Sequence, residues 1–471
     1  MEPGSAVNET QPGQRSMMEF AATFGSALAL GQAAQFVWLA AGSRALSTGD
    51  FGRVLAAQAL YGLLQVVMDT GSTYYGARLA AAGTLDDGAL GSITALRLVL
   101  AGAAGCVLLI AGALGGPRSF AAMAPFALAT VLFALFRYWQ SFGHGDSRPL
   151  SAYVVLRGAG PAGVALFFAG AGVGFPLPLA GAIECGAIVL IATTFRLRPL
   201  EALRLASRAR ALPWRAVLDV ALPFAASQAI LTLGTVLLAL TGSAVAAAVF
   251  GVATRLLTGV NQVAGVVTGS LFPWLARPGD LKGADVLHGV RAILIAAGAA
   301  SCVAFAAPSL IVRSLLGHDA PNATATVVIA VSLAAATSYV LLITTILIAR
   351  HHESEVSWVF LVGTIVAVAG AVAVVALQPT AVSTWMAASL GCAQVVLTSL
   401  LAWRARRILV SAARAISEGA VGALVLAGAG SLAAAVPAAR APLAAGTGAA
   451  VFALLALLAL DVHRGRRTRT A

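Results

Sequence analysis

Apolar runs long enough to cross a bilayer recur from one end of this chain to the other, and they leave few folds open. A spanning helix needs about 20 mostly apolar residues. Windows of about 19 residues place about fourteen such runs. Their cores lie at 20–42, 54–77, 90–112, 119–142, 150–171, 177–196, 216–240, 245–273, 288–312, 323–349, 356–377, 381–403, 417–436 and 442–461. Alternating segments of about 10 residues, the mark of a β-barrel, are not found. The expected fold is an all-α polytopic membrane protein of about 14 transmembrane helices. Composition agrees, since 59% of the 471 residues are hydrophobic and 10% charged, against roughly 25% charged in an ordinary soluble protein.

A net charge of +12 raises nucleic acid as a partner. The distribution argues against it. Lys282 is the one lysine, and the arginines gather in short loops between apolar runs. With a cytoplasmic N-terminus, the outer loops hold Arg44, Arg53, Arg118, Arg313 and Arg440, and nineteen Arg and Lys fall in the inner tails and loops. This asymmetry places both termini inside and favours an even number of spans. Trp139, Trp214, Trp274, Trp358 and Trp403 fall near the expected inner interface, Trp38 and Trp385 nearer the outer one. Heavy use of Ala, Gly and Arg suggests a bacterial chain, hence the cytoplasmic membrane. The expected organisation is a tail at 1–19, a first lobe of six helices at 20–196, and a basic connector at 197–215. A second lobe of six follows at 216–403, then a second basic connector at 404–416, two helices at 417–461 and a basic tail at 462–471. The first connector could lie as an amphipathic helix on the anionic leaflet, or serve topology alone.

One segment occurs twice. Phe51-Gly52 returns as Phe250-Gly251, 199 residues later; Thr70-Gly71-Ser72 returns as Thr268-Gly269-Ser270; Arg78 and Arg277 close the two copies. Both copies fill the second span of a six-span block in the same orientation. They predict two six-helix lobes related by a pseudo-two-fold along the membrane normal, plus two C-terminal helices. Transporters with parallel repeats place the substrate path between the halves.

Charges within spans are functional suspects, because exposing them to lipid costs several kcal/mol. Asp69, Arg97, Arg137, Arg157, Glu184, Asp219 and Arg255 qualify. Arg137 and Asp219 lie near inner helix ends, where snorkelling or capping accounts for them. Arg97, Arg157 and Arg255 suit an anionic head group, since the guanidinium fork pairs with phosphate and stays charged. Asp69 and Glu184 could balance those arginines or couple transport to a cation or proton. The competing account is a set of structural ion pairs, Asp69 with Arg97 first. Asp69 in one copy of the repeat and Arg255 in the other predict lobes with different tasks. Gln32, Gln35, Gln228, Asn261 and Gln262 are polar at spanning depth, available to a cavity wall or to interhelical bonds. Pro125, Pro161, Pro223 and Pro308 interrupt spans; Pro223, Gly71 and Gly269 are the candidate hinges.

Other matches carry little. GAGPAG at 158–163 fits a dinucleotide fingerprint but lies inside a span and follows no strand. His351, His352 and Glu353 are adjacent and share no helix face, so no metal site is expected. Cys106, Cys185, Cys302 and Cys392 have neither zinc nor disulfide spacing and read as small packing residues. With no Walker loop, no nucleophile–base pair and no large loop bearing paired carboxylates, no enzyme activity and no cofactor are expected.

Arg44, Leu46, Asp50-Phe51-Gly52, Asp69 and Gly71 together resemble the first-to-second-span region of polysaccharide-biosynthesis flippases. Ala253, Arg255, Pro273 and Arg277 are similar to that family's eighth span. The first-lobe Tyr after Phe-Gly is absent, and the cavity arginines do not match the lipid II flippase pattern one by one. The resemblance implies the multidrug/oligosaccharidyl-lipid/polysaccharide exporter superfamily. It further implies flipping of a polyprenyl-diphosphate-linked oligosaccharide to the outer leaflet by alternating access, with membrane lipids, polysaccharide polymerase and glycosyltransferases as partners and Na+ or H+ as an optional coupling ion. A cation-coupled multidrug exporter of the same superfamily, and a non-transporting scaffold for polysaccharide synthesis, are the alternatives.

Overall fold

A computed structural model describes residues 14–81, 86–136, 148–195, 199–207, 214–241, 243–275, 283–317, 320, 322–350, 352–377 and 380–470. Arg137, Trp139 and His351 lie outside the described residues, as do the side chains of Asp219, Trp214 and Trp274. Among the described residues there is no strand. A chain in hydrocarbon must satisfy its backbone internally, and helices do so within each segment.

The first lobe comprises α1 (Gln14–Ala45), α2 (Thr48–Ala81), α3 (Asp87–Leu114), α4 (Gly116–Ala134), α5 (Arg148–Ala171) and α6 (Leu179–Thr194). A short helix in the basic connector, α7 (Pro199–Ala206), follows. It packs against α3, with Leu205 buried and Leu203 exposed. The second lobe comprises α8 (Trp214–Leu240), α9 (Ala244–Leu275), α10 (Gly283–Ala306), α11 (Pro308–Leu316), α12 (Ala323–Ser332), α13 (Ala334–Ala349), α14 (Glu353–Leu377) and α15 (Val382–Ile408). The chain ends with α16 (Ala413–Ala435) and α17 (Arg440–Thr470). Among the described residues, thirteen helical segments are long and apolar enough to span, and α6 is a shorter apolar helix of 16 residues. At 1.5 Å per residue α6 reaches about 24 Å, short of a hydrocarbon core of about 30 Å.

Prolines divide the spans less than the sequence suggests. Pro125, Pro161 and Pro223 sit inside continuous helices. Pro308 does separate two elements, opening α11 after the break at Ala307. The tenth span pauses at Leu333, which keeps helical dihedrals and joins α12 to α13. That pair is the buried axis of the second lobe, ringed by α9, α10, α15 and α16.

The two lobes repeat one packing scheme. In the first, span 1 packs on span 5, span 2 on span 4, and span 6 on spans 4 and 5. In the second, span 7 packs on span 11, span 8 on span 10, and span 12 on spans 10 and 11. The last two helices attach to the second lobe: α16 lies on α10, α12, α13 and α15, and α17 mainly on α10.

The repeated Phe-Gly pairs meet where the lobes touch. A Cβ on Gly52 would overlap the Ala244 carbonyl oxygen of α9. From the other side, a Cβ on Gly251 would stand 3.1 Å from Leu55 of α2 and 3.2 Å from Thr235 of α8. Phe51 and Phe250 are buried beside them. Here the core of the first lobe continues into α9, α11 and α12 without a gap. Nearby, Arg44 Nη1 donates to the Ser314 carbonyl of α11 at 3.4 Å. Further along the helices the lobes part. On α2, Val54 to Tyr61 are buried apart from Gln58, and Gly62 to Leu64 become accessible; on α9, Ala247 to Thr254 are buried, and Thr258 to Gln262 become accessible.

Candidate substrate cavity

Beyond the Phe-Gly contact, the lobes enclose a cavity of about 230 Å³. The first lobe lines it with α1, α2 and α5, the second with α8 and α9. Helical spacing puts the polar side chains of each element on one face. From α1 come Gln32 and Gln35, three apart; from α2, Gln58 and Gln65, seven apart. Thr232 and Thr235 follow Gln228 on α8, and Thr254, Arg255, Thr258 and Gln262 share α9. Arg157 enters from α5. Six glutamines, four threonines and two arginines form the polar lining, and no carboxylate is among the lining residues.

A recess of about 20 Å³, room for roughly one water, extends from this cavity into the first lobe. Gln35, Gln58, Arg157 and Arg255 line both spaces, and Trp38 and Glu184 line the recess alone. A ring of hydrogen bonds ties α2, α5 and α6 together at this point. Gln65 Nε2 donates to the Tyr153 hydroxyl at 3.0 Å, which donates to Glu184 Oε1 at 2.5 Å. Arg157 Nη1 donates to Gln65 Oε1 at 2.8 Å, and its Nε stands 3.5 Å from Glu184 Oε1. The Arg157 guanidinium also lies over the Tyr61 ring, 5.4 Å from its centroid. Arg255 reaches across the interface, donating from Nη2 to Gln58 Oε1 at 3.4 Å.

Close approach of α1 and α5 makes this placement feasible. A Cβ on Gly158 would overlap the Gly31 carbonyl oxygen. Gly158 is thus a packing residue, and it lines the recess with Pro161 beside Arg157.

Arg97 occupies a different place. It is fully buried, and it lies outside both lining sets. Its Nη1 donates to Asp69 Oδ1 at 2.7 Å and to Ser72 Oγ at 3.3 Å. Its Nε donates to the Ala134 carbonyl at 3.3 Å and Nη2 to the Phe133 carbonyl at 3.1 Å. These carbonyls end α4, where Phe133 O also accepts the Phe136 N–H at 3.0 Å and helix-end carbonyls take partners from outside the helix. Arg97 therefore caps α4 and pairs α2 with α3, with Asp69, one turn beyond Gln65 on α2, as its counter-ion. Among the described residues, Arg157 and Arg255 line the cavity together and Arg97 does not.

The other candidates divide similarly. Asn261 accepts from Ser338 Oγ at 2.8 Å, a bond within the second lobe, and is not in the lining. Pro223 is buried inside α8. Gly71 and Gly269 lie within α2 and α9, and their packing falls outside the described residues. Trp38, placed nearer the outer interface by sequence, is buried against Phe51 and Phe175.

The sequence reading passed over Gln58, Gln65 and the four threonines of the cavity lining, and Tyr153 buried behind it between Gln65 and Glu184. Gln58 and Gln65 carried a usable signal, since two amides seven apart in an apolar span mark one polar face. The threonines carried none, because a mid-helix Thr more often bonds its own helix; Thr232, Thr254 and Thr258 all do so.

No family model matches the sequence, and a search of curated proteins found no match. Solved structures share the fold. One is an inward-facing conformation of a multidrug resistance MATE family transporter of the MOP superfamily: TM-score 0.56, 12% identity, covering 85% of this chain and 98% of that one. Another is the MATE multidrug transporter DinF-BH: TM-score 0.52, 15% identity, covering 87% and 100%. At these identities the likeness establishes the fold: a two-lobed, all-helical, multi-pass membrane architecture.

Proposed function

We propose that this chain is a membrane transporter that flips a polyprenyl-diphosphate-linked oligosaccharide from the inner to the outer leaflet by alternating access of its lobes. The observation that carries this reading is the lining of the interlobe cavity. Arg157 and Arg255 enter it from opposite lobes, amid amides and hydroxyls. Guanidinium forks pair with phosphate oxygens, and a primary amide offers a sugar hydroxyl both donor and acceptor. The fold supplies two lobes that can rock about the cavity. A polar space between them also argues against a non-transporting scaffold, for which a dry interface would serve.

A cation-coupled multidrug exporter is the second reading, favoured by the fold shared with structures described as multidrug transporters. A cavity that selects cationic drugs would carry acid, and the carboxylate among the described lining residues, Glu184 in the recess, already faces Arg157.

The test is reconstitution in proteoliposomes with a fluorescent polyprenyl-diphosphate oligosaccharide, with and without Na+ and H+ gradients. Wild type should translocate it, and Arg255→Gln should lower the rate at least about tenfold, as loss of a charge-assisted bond does. No translocation across a range of glycans and gradients, alongside Arg255-independent drug efflux, would replace the flippase reading with the exporter.

A further inference from the structure

The two cavity arginines are not equivalent. Arg157 is engaged on three sides, by Gln65, by the Tyr61 ring and by Glu184. Arg255 is held across the interface by a neutral amide at 3.4 Å. Glu184, 4% exposed, accepts the Tyr153 hydroxyl, so its carboxylate is anchored to the first lobe. Counting Glu184 as a carboxylate, the three charged groups leave the recess at one net positive charge. Trp38 adds an unmatched donor, an indole N–H buried in the recess wall with no acceptor among the described residues. Buried donors in excess of acceptors favour an anionic occupant.

We propose that Glu184 is a specificity residue of this site: it offsets Arg157, sets the net charge offered to an anionic head group, and so keeps binding weak enough for release. Transport needs a site that admits its cargo and still lets it leave. The inference rests on the flippase reading for its anionic cargo and adds the residue that limits how tightly the cargo is held. It assigns Glu184 to charge balance rather than to ion coupling.

Net charge gives the test its order. Wild type carries one positive charge, Glu184→Gln two, Arg157→Gln none, and the double variant one. Affinities of the purified full-length protein for inorganic pyrophosphate and for undecaprenyl diphosphate should follow that order. Glu184→Gln should bind tightest, by about tenfold, the effect of one charge at roughly 12 Å in an effective dielectric of about 20. Arg157→Gln should bind weakest, and the double variant should return toward wild type. In proteoliposomes Glu184→Gln should show a lower half-saturating concentration together with a lower maximal rate. The amide oxygen of this variant still accepts from Tyr153, so the hydrogen-bond ring survives, and an unfolding midpoint measured beside each affinity separates lost binding from a fold weakened by an uncompensated Arg157. Weaker or unchanged binding by Glu184→Gln, or a double variant weaker than both singles, overturns the proposal and leaves Glu184 a structural or coupling group. Pyrophosphate binding in the stated order without undecaprenyl diphosphate binding would sink the lipid-linked cargo and keep Glu184's role. Binding of neither probe by wild type would sink both.

Discussion

Arg97 shows how a buried charge can be costly to remove without touching cargo. Five donors on a planar fork meet a carboxylate, a hydroxyl and the carbonyls that end α4, with Phe133 stacked at 5.5 Å. Removing one partner of such a buried pair leaves the other uncompensated, which costs about 3–5 kcal/mol. Arg97→Ala should therefore lower the thermal unfolding midpoint of the detergent-solubilised protein sharply. Arg97→Lys should recover only a minor part, because an ammonium cannot reach the Asp69 carboxylate and the α4 carbonyls together. Unchanged unfolding with lost anion binding would instead return Arg97 to the cavity. Sequence alone could not separate Arg97 from Arg157. Both are arginines at similar depth, and what distinguishes them is where neighbouring helices end: α4 stops beside Arg97, whereas α5 carries Arg157 past the opening between lobes.

At the scale of elements, the doubled Phe-Gly segment was legible as a repeat and not as a contact. Spacing identified α2 and α9 as equivalent helices; that the two glycines would pack on each other's helices required the pseudo-symmetry axis to pass between them. Each glycine removes the side chain that would hold the partner helix away, as at other close helix crossings in membranes. Gly52→Val should prevent α2 and α9 from meeting. A cross-link reads this directly: a Cβ on Gly49 would lie 3.9 Å from Ala244 Cβ, within disulfide range. With the native cysteines replaced, Gly49→Cys/Ala244→Cys should cross-link on mild oxidation, and adding Gly52→Val should abolish the bond. Persistent cross-linking in the triple variant would show that the helices meet by another surface. Pro125, Pro161 and Pro223 show another limit of reading elements from sequence, since each lies inside a continuous helix.

For the whole molecule, the fourteen apolar runs and the six-six-two division could be read because hydrocarbon admits so few backbone solutions. The cavity could be read only in part. Its arginines and four of its six glutamines stand out as polar groups in apolar spans, whereas the Glu184–Tyr153–Gln65 ring depends on α2 and α6 converging on α5. The direction in which the cavity opens joins both kinds of information. Packing closes the end at Gly52 and Gly251, and accessibility grows toward Gly62 and Gln262. On the orientation expected from the arginine asymmetry, that growing end faces the cytoplasm. A cysteine placed at Gly62, again in a background without native cysteines, should then react with a membrane-impermeant maleimide in inside-out vesicles and resist it in intact cells. Undecaprenyl diphosphate should slow the reaction, since Gly62 shares the cavity wall with Gln58 and Gln65. Labelling in intact cells instead would mean either an inverted chain or a resting state closed at the cytoplasmic end. A second cysteine at Gly49 separates these: an inverted chain moves Gly49 to the inner face, whereas a change of resting state leaves it outside.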